Sequence, residues 1–129
     1  MGSGFVRSLL GRKCRFNLWE PNLFVTSKAL PLEQATIEYG NNIKRAYTYK
    51  SLNRLIQASA ADQAKKAMCE IYKTGKVPLI QIHDELAFSV KDLDEAKALQ
   101  DIMETCVELQ VPSPTDAALG PNWGNLKAA

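Results

Sequence analysis

The sequence predicts an α+β fold, in which an antiparallel β-hairpin and a returning strand pack on helices. Two apolar runs, each with the length and composition of a strand, lie on either side of a short polar interruption within residues 78–90. Apolar side chains recur at three- and four-residue steps over residues 52–72 and again over residues 93–109, as in amphipathic helices. Helices that cover an antiparallel sheet give a layered α+β arrangement.

The length and composition favour a single domain. The chain has 129 residues, of which 46% are apolar, enough for one core and too few for two ordinary domains. No stretch approaches the roughly 18 to 20 consecutive apolar residues of a membrane span, and the N-terminus lacks the pattern of a signal peptide. We therefore expect one cytoplasmic domain over residues 1–129, with residues 1–4 flexible or derived from cloning.

Charge is distributed unevenly along the chain. Residues 1–66 hold 11 Lys and Arg against 4 Asp and Glu, whereas residues 67–129 hold 5 against 10. The basic half has the composition of a surface that meets a polyanion such as nucleic acid. An ordinary solvated surface would give the same composition, so the charge alone leaves both interpretations open.

The first 45 residues give three local predictions. A glycine followed by two cations at residues 11–13 predicts a basic turn after a short apolar segment. Residues 17–31 contain the prolines and polar side chains of a loop. Residues 32–45 have a weak helical pattern, which Gly40 interrupts.

A longer helix is predicted from about residue 51. Its alanine-rich centre would allow the helix backbone to lie close to a sheet, and Gly75 is expected to end it. The predicted apolar face consists of Leu52, Leu55, Ile56, Ser59, Ala60, Ala64, Ala67, Met68 and Ile71.

The tip of the predicted hairpin contains His83, which is the only histidine of the chain, followed by Asp84 and Glu85. The tip lacks the glycine and asparagine that usually form tight turns. Two adjacent carboxylates repel each other unless a cation offsets their charge, so this arrangement favours a divalent metal. A solvated polar turn is the alternative.

The remaining sequence predicts a second helix, a break and a last strand. Acids occupy the first turn of the helix over residues 93–109, where they interact favourably with the helix dipole. Two prolines within residues 111–114 end this helix. Residues 115–119 are predicted to form a strand, followed by a turn at residues 120–124.

Phosphoryl transfer is the reaction class that best fits these residues. A hydrolase would use His83 as base, but no serine or cysteine occupies a recognisable nucleophile elbow. Cys14, Cys69 and Cys106 are widely spaced and lack a zinc-binding pattern. Carboxylates that hold Mg²⁺ commonly offset charge on phosphate oxygens, and this chemistry would also give the basic half a partner.

Several motifs, in order, resemble family A DNA polymerases of the DNA polymerase I type. The two central ones are QASAAD at residues 57–62 and QIHDE at residues 81–85, which resemble the C-terminal palm of that family. The segment FVRSLLGRK at residues 5–13 resembles the region after the fingers, and residues 111–123 resemble the closing strand and terminal turn. The segment LNRLIQ at residues 52–57 is similar to the sequences of the bacteriophage branch of the family.

The resemblance implies that the chain is the end of the fingers and part of the palm subdomain of a polymerase with a two-metal mechanism. Asp84 matches the aspartate that binds both catalytic Mg²⁺ ions, and Glu85 matches the neighbouring catalytic acid near the metals. Asp84 and Glu85 are therefore both expected to be catalytic and to bind metal.

The resemblance also implies contacts with primer and template. His83 matches a residue beside the primer terminus, and Asn53 and Gln57 match amides that contact the minor groove. An amide donor suits that groove because its acceptors are nearly the same for every base pair. Phosphate contacts are expected from Arg54, Arg12 and Lys13.

Two elements that the family needs are not found in this sequence. They are the palm strand with the other metal-binding aspartate and the fingers helix that binds the incoming dNTP. We therefore expect an incomplete polymerase that requires an N-terminal half, in trans or in the parent chain, and that exposes apolar surface without it. A natural split subunit and a truncated product both fit, and a non-catalytic DNA-binding module that uses the basic half is the alternative function.

Overall fold

The computed structural model describes residues 4–23 and 26–128. Helices and small antiparallel sheets alternate along this part of the chain, which confirms the predicted α+β class. The chain divides into two compact units, Met1–Ser59 and Ala60–Ala129. The prediction for residues 1–4 lies outside the described residues except at Gly4, whose carbonyl accepts a hydrogen bond of 2.9 Å from the Phe16 amide.

The helices of the described residues are α1 (Leu32–Tyr39), α2 (Ser51–Lys73) and α3 (Leu93–Thr105). The strands are β1 (Phe5–Arg7), β2 (Lys13–Arg15), β3 (Leu18–Pro21), β4 (Leu30–Pro31), β5 (Ile43–Arg45), β6 (Ile80–Ile82), β7 (Glu85–Ala87), β8 (Ala118–Leu119) and β9 (Lys127–Ala128). No helix within the described residues has both the length and the apolar character that crossing a bilayer requires.

The predicted basic turn connects β1 and β2, which form an antiparallel hairpin. Buried Ser8 organises this turn. Its amide donates to the Arg12 carbonyl at 2.9 Å, and its hydroxyl accepts from the Arg12 amide at 3.0 Å. Gly11 has a φ of 85°, a left-handed conformation that glycine adopts without steric cost. The turn therefore has a fixed shape.

A three-stranded sheet in the order β4, β3, β5 follows the hairpin. The prediction that residues 17–31 form only a loop is wrong, because Trp19 at the centre of the sheet pairs with both Leu30 and Arg45. The weak helical pattern over residues 32–45 is confirmed only for α1, which ends before Gly40. The residues beyond it extend into β5, an edge strand that pairs with the central strand β3.

Helix α2 is confirmed, but its predicted buried face is only partly correct. Leu52 and Ile56 were expected inside, and their side chains are 66% and 57% exposed. The buried positions of α2 include Ala58, Asp62, Ala64, Ala67 and Ile71. The Ser59 hydroxyl accepts a hydrogen bond of 3.0 Å from the Leu9 amide, so the side of α2 next to the β1–β2 turn is the covered one.

In the second unit, α3 has the predicted acidic first turn. The Asp92 side chain caps the helix by accepting from the Glu95 amide at 2.8 Å, and the Glu95 carboxylate accepts from the Lys91 amide at 2.7 Å. The predicted last strand is shorter than expected. It comprises Ala118–Leu119 and pairs with β9.

The segment between α3 and β8 is fixed to α3 by side chains. The Glu104 carboxylate accepts hydrogen bonds from the Thr115 amide at 2.7 Å and from its hydroxyl at 3.0 Å. The Gln100 side chain donates to the Thr115 carbonyl. These bonds hold the pKa of Glu104 below its ordinary value of 4.5, mainly through the backbone amide of Thr115.

We predict that replacing Gly120 with alanine disrupts the β8–β9 pairing. A Cβ at Gly120 would lie 2.0 Å from the Asn125 carbonyl oxygen, which forces the backbone apart. Such overpacking typically costs about 1 to 3 kcal/mol. Amide hydrogen exchange in β8 and β9 should accelerate in Gly120→Ala and stay near wild type in Gly124→Ala, whose Cβ would meet only an ordinary contact at 3.5 Å. Equal exchange in both variants would contradict this account.

We also predict that acid loosens the segment at Thr115. Because the folded-state pKa of Glu104 lies below its unfolded value, the stabilisation is complete above about pH 4.5 and is lost as pH falls through the folded-state pKa. The protection factor of the Thr115 amide should therefore decline below that pH. Glu104→Gln should remove this pH dependence, while Glu108→Gln, at an exposed position of the same unit, should preserve it. A flat wild-type profile would argue against the contact.

Candidate functional site

The predicted hairpin is present, and its tip is a two-residue loop. Strands β6 and β7 pair antiparallel with Ile82 opposite Glu85, so His83 and Asp84 form the loop between them. The Gln81 side chain donates a hydrogen bond of 3.2 Å to the His83 carbonyl. This hydrogen bond was not predicted from the sequence. The signal for it was that Gln81 lies only two residues before His83.

His83 adopts a φ of 53°, in the left-handed region. Left-handed residues suit tight hairpins because their twist matches that of the flanking strands. For a side chain with a Cβ, this conformation costs roughly 1 to 2 kcal/mol, whereas glycine accepts it freely. The turn geometry therefore does not explain why a histidine stands at this position.

Asp84 and Glu85 are exposed at the tip. Within the described ranges, no lysine or arginine lies within ion-pair distance of either carboxylate. Carboxylate oxygens are ligands that Mg²⁺ prefers, and its sites commonly use one or two of them together with substrate phosphates. The two donors fit that ion, although the part of the chain that the structure describes contains no cluster of three or more metal-binding side chains.

Strand β6 exposes apolar side chains beside this tip. Ile80 and Ile82 of β6 are 45% and 44% exposed, and Leu79, immediately before the strand, is 65% exposed. Among the described strands, β6 pairs with β7 alone, so its other edge retains unpaired backbone groups. An apolar strand with an open edge is suited to packing against a further polypeptide segment.

Asn53 and Gln57 lie one helical turn apart on an exposed side of α2. Among the described residues, neither side-chain amide forms a hydrogen bond with another group. The neighbouring Leu52 and Ile56 are also exposed. This stripe combines amide donors with apolar contact area, which is the composition expected of a surface that meets another molecule.

The predicted phosphate contacts Arg54 and Arg12 also have structural partners. Arg54 donates to the Arg15 carbonyl at 3.0 Å, and its guanidinium lies 4.7 Å from the centre of the Phe16 ring. Arg12 donates to the Ala58 carbonyl at 3.0 Å. A guanidinium has five N–H donors, so the single hydrogen bond of Arg54 leaves that side chain with capacity for a phosphate.

Lys13 is exposed on β2, and its ammonium lies 4.9 Å from the centre of the Phe5 ring. It shares the first compact unit with the predicted contacts Arg12, Asn53, Arg54 and Gln57. The second unit places the predicted histidine and both carboxylates together at the hairpin tip. Both groups of predicted residues are therefore presented on surface elements of their own unit.

Comparison with known proteins identifies the family. The family model for DNA polymerase family A matches residues 2–125. A DNA-directed DNA polymerase of Pseudomonas phage M6 is 40% identical over 122 residues, which cover 95% of this chain and 15% of that protein. DNA polymerase I of Rhizobium leguminosarum is 35% identical, covering 93% of this chain and 12% of the relative. DNA polymerase I of Bacillus subtilis is 37% identical, covering 67% and 11%.

The chain thus spans no more than 15% of the length of these relatives. The match nevertheless extends over nearly all of the chain and includes the β1–β2 hairpin, the exposed amides of α2 and the tip of the β6–β7 hairpin. This chain belongs to DNA polymerase family A.

Proposed function

We propose that this chain forms part of a DNA-templated DNA polymerase and supplies one carboxylate-bearing wall of its nucleotidyl-transfer site. The observation that supports the proposal most directly is the pair of exposed, consecutive carboxylates at the hairpin tip of a family A chain. Asp84 and Glu85 would hold catalytic Mg²⁺ there. Bound Mg²⁺ neutralises charge on the phosphate oxygens of a transferring nucleotide.

The other residues would position primer and template. His83, held at the tip by its left-handed backbone, would lie beside the primer terminus. Asn53 and Gln57 would donate to minor-groove acceptors, testing the geometry of a base pair without selecting its sequence. Arg12, Lys13 and Arg54 would contact phosphates, which fix the register of the nucleic acid.

The proposal requires a second polypeptide segment. Two exposed carboxylates leave Mg²⁺ with few protein ligands, and the exposed apolar side chains of β6 lack a cover among the described residues. We propose that an N-terminal polymerase half, in trans or in the parent chain, supplies the other metal-binding aspartate and the dNTP-binding helix. Without it, the chain would be inactive, and with it the polymerase would act in the cytoplasm of a bacterial or phage-infected cell.

Replacing Asp84 with alanine should abolish primer extension by the completed polymerase. Loss of a group that stabilises transition-state charge typically lowers kcat by about 10²-fold or more. Single-turnover extension with Mg²⁺ would measure the effect. Asp101→Ala removes the same side chain at an exposed position of α3 and should leave the rate unchanged. Full activity in Asp84→Ala would overturn the proposal and would leave a non-catalytic DNA-binding module as the alternative.

Replacing His83 tests whether its side chain acts on the primer or only shapes the turn. His83→Gly should stabilise the hairpin by about 1 kcal/mol, because glycine relieves the left-handed strain, whereas His83→Ala retains it. Exchange of the Leu79 amide, which donates to the Ala87 carbonyl at 2.8 Å, would report hairpin stability. Both variants should extend a primer more slowly than wild type. Wild-type extension by His83→Gly would limit the residue to a structural role.

A further inference from the structure

The β1–β2 hairpin places like charges on one face. The register sets Arg7 directly opposite Lys13, and Phe5 opposite Arg15. Because side chains alternate across a strand, these four residues share a face, which we term the basic face. All three cations are exposed, whereas Val6 and Cys14 on the opposite face are partly buried. The basic face therefore points to solvent.

Among the described residues of the first unit, no carboxylate neutralises the cations of this face. No acidic residue precedes Glu20 in the sequence. Within residues 4–23 and 26–128, none of Arg7, Lys13 and Arg15 forms an ion pair with a carboxylate. Like charges directly opposite each other destabilise a pair of strands. The arrangement thus costs stability unless a polyanion offsets the repulsion.

The Phe5 ring organises the two nearest cations. The Arg7 guanidinium carbon lies 5.4 Å from the ring centre and the Lys13 ammonium 4.9 Å, both within the range of a cation–π contact. Two charged groups therefore lie close to the ring, so it is poorly suited to stacking on a base. Its contribution is to fix the positions of charges, which favours recognition of phosphate over recognition of bases.

The basic face is also held firmly in the first unit. Arg54 on α2 donates to the carbonyl of Arg15, and Arg7 donates to the Gly11 carbonyl at 3.1 Å across the turn. The Leu9 amide bonds to Ser59 of α2 at 3.0 Å. A preorganised array of cations loses little conformational freedom when an anion binds.

We propose that the basic face is a binding surface for the sugar–phosphate backbone of DNA, with Arg7 and Arg15 as contacts additional to Lys13. The identity of the polyanion rests on the proposed function, because a polymerase chain meets DNA. The surface would recognise charge independently of sequence, and it would raise DNA affinity without taking part in the chemical step.

The test uses the completed polymerase and measures DNA affinity against salt concentration. Arg7→Gln combined with Arg15→Gln should reduce the slope of log K against log salt by about 1.8 for duplex DNA, and weaken binding roughly 10- to 30-fold at 0.15 M salt. Single-turnover extension at saturating DNA should remain at the wild-type rate. The matched control, Lys28→Gln combined with Lys44→Gln, removes two exposed cations of the same unit and should leave the slope unchanged.

Further variants and competitors in the same binding experiment define the ligand. Arg7→Lys combined with Arg15→Lys keeps the charge and should retain the slope, which keeps the proposal falsifiable if the glutamine variant fails to fold. The loss of affinity in the glutamine variant should be equal on oligo(dT) and oligo(dA). Poly-glutamate should compete poorly with DNA for the wild-type protein. An unchanged slope in the glutamine variant, a loss on only one sequence, or strong competition by poly-glutamate would each overturn the proposal. The Asp84→Ala result does not enter this readout, so either proposal can fail alone.

Discussion

The close approach of the β1–β2 turn to α2 is the constraint on which the first unit depends. Ser59 bonds to the Leu9 amide, and the Ala58 carbonyl accepts from Arg12, so the turn reaches the helix backbone itself. Larger side chains at these two positions would keep the turn away. Because this side of α2 is covered, Asn53 and Gln57 project to solvent on another side, and the hairpin presents its basic face outward.

The β6–β7 hairpin of the second unit has two features that oppose its own folding. The β6–β7 hairpin holds two carboxylates side by side without a nearby cation among the described residues, and its tip contains a histidine in a glycine-like conformation. Neither feature helps the hairpin to fold. Residues that lower the stability of their own element commonly act on something outside it, which agrees with the role that we propose for them at the metal and the primer terminus.

The sequence predicted the elements with strong local patterns and missed those that depend on distant partners. The periodicity of α2 and α3 and the interrupted apolar runs of the β6–β7 hairpin identified them correctly. Strand β3 was missed because Trp19 pairs with Leu30 and Arg45, and pairing with distant residues leaves no local signal. The exposure of Leu52 and Ile56 was also missed, because periodicity finds apolar positions and does not show whether the same chain covers them.

The basic face and the hairpin tip share one electrostatic property, since each holds like charges close together. Arg7 and Lys13 stand opposite each other in one unit, and Asp84 and Glu85 are adjacent in the other. The like charges within each pair repel each other, and none of the four side chains forms an ion pair with another described residue. The proposed nucleotidyl transfer on DNA would supply both missing partners, since the phosphate backbone would offset the cations and Mg²⁺ would offset the carboxylates. The charges that weaken the isolated chain are therefore those that the proposed DNA substrate and Mg²⁺ would stabilise.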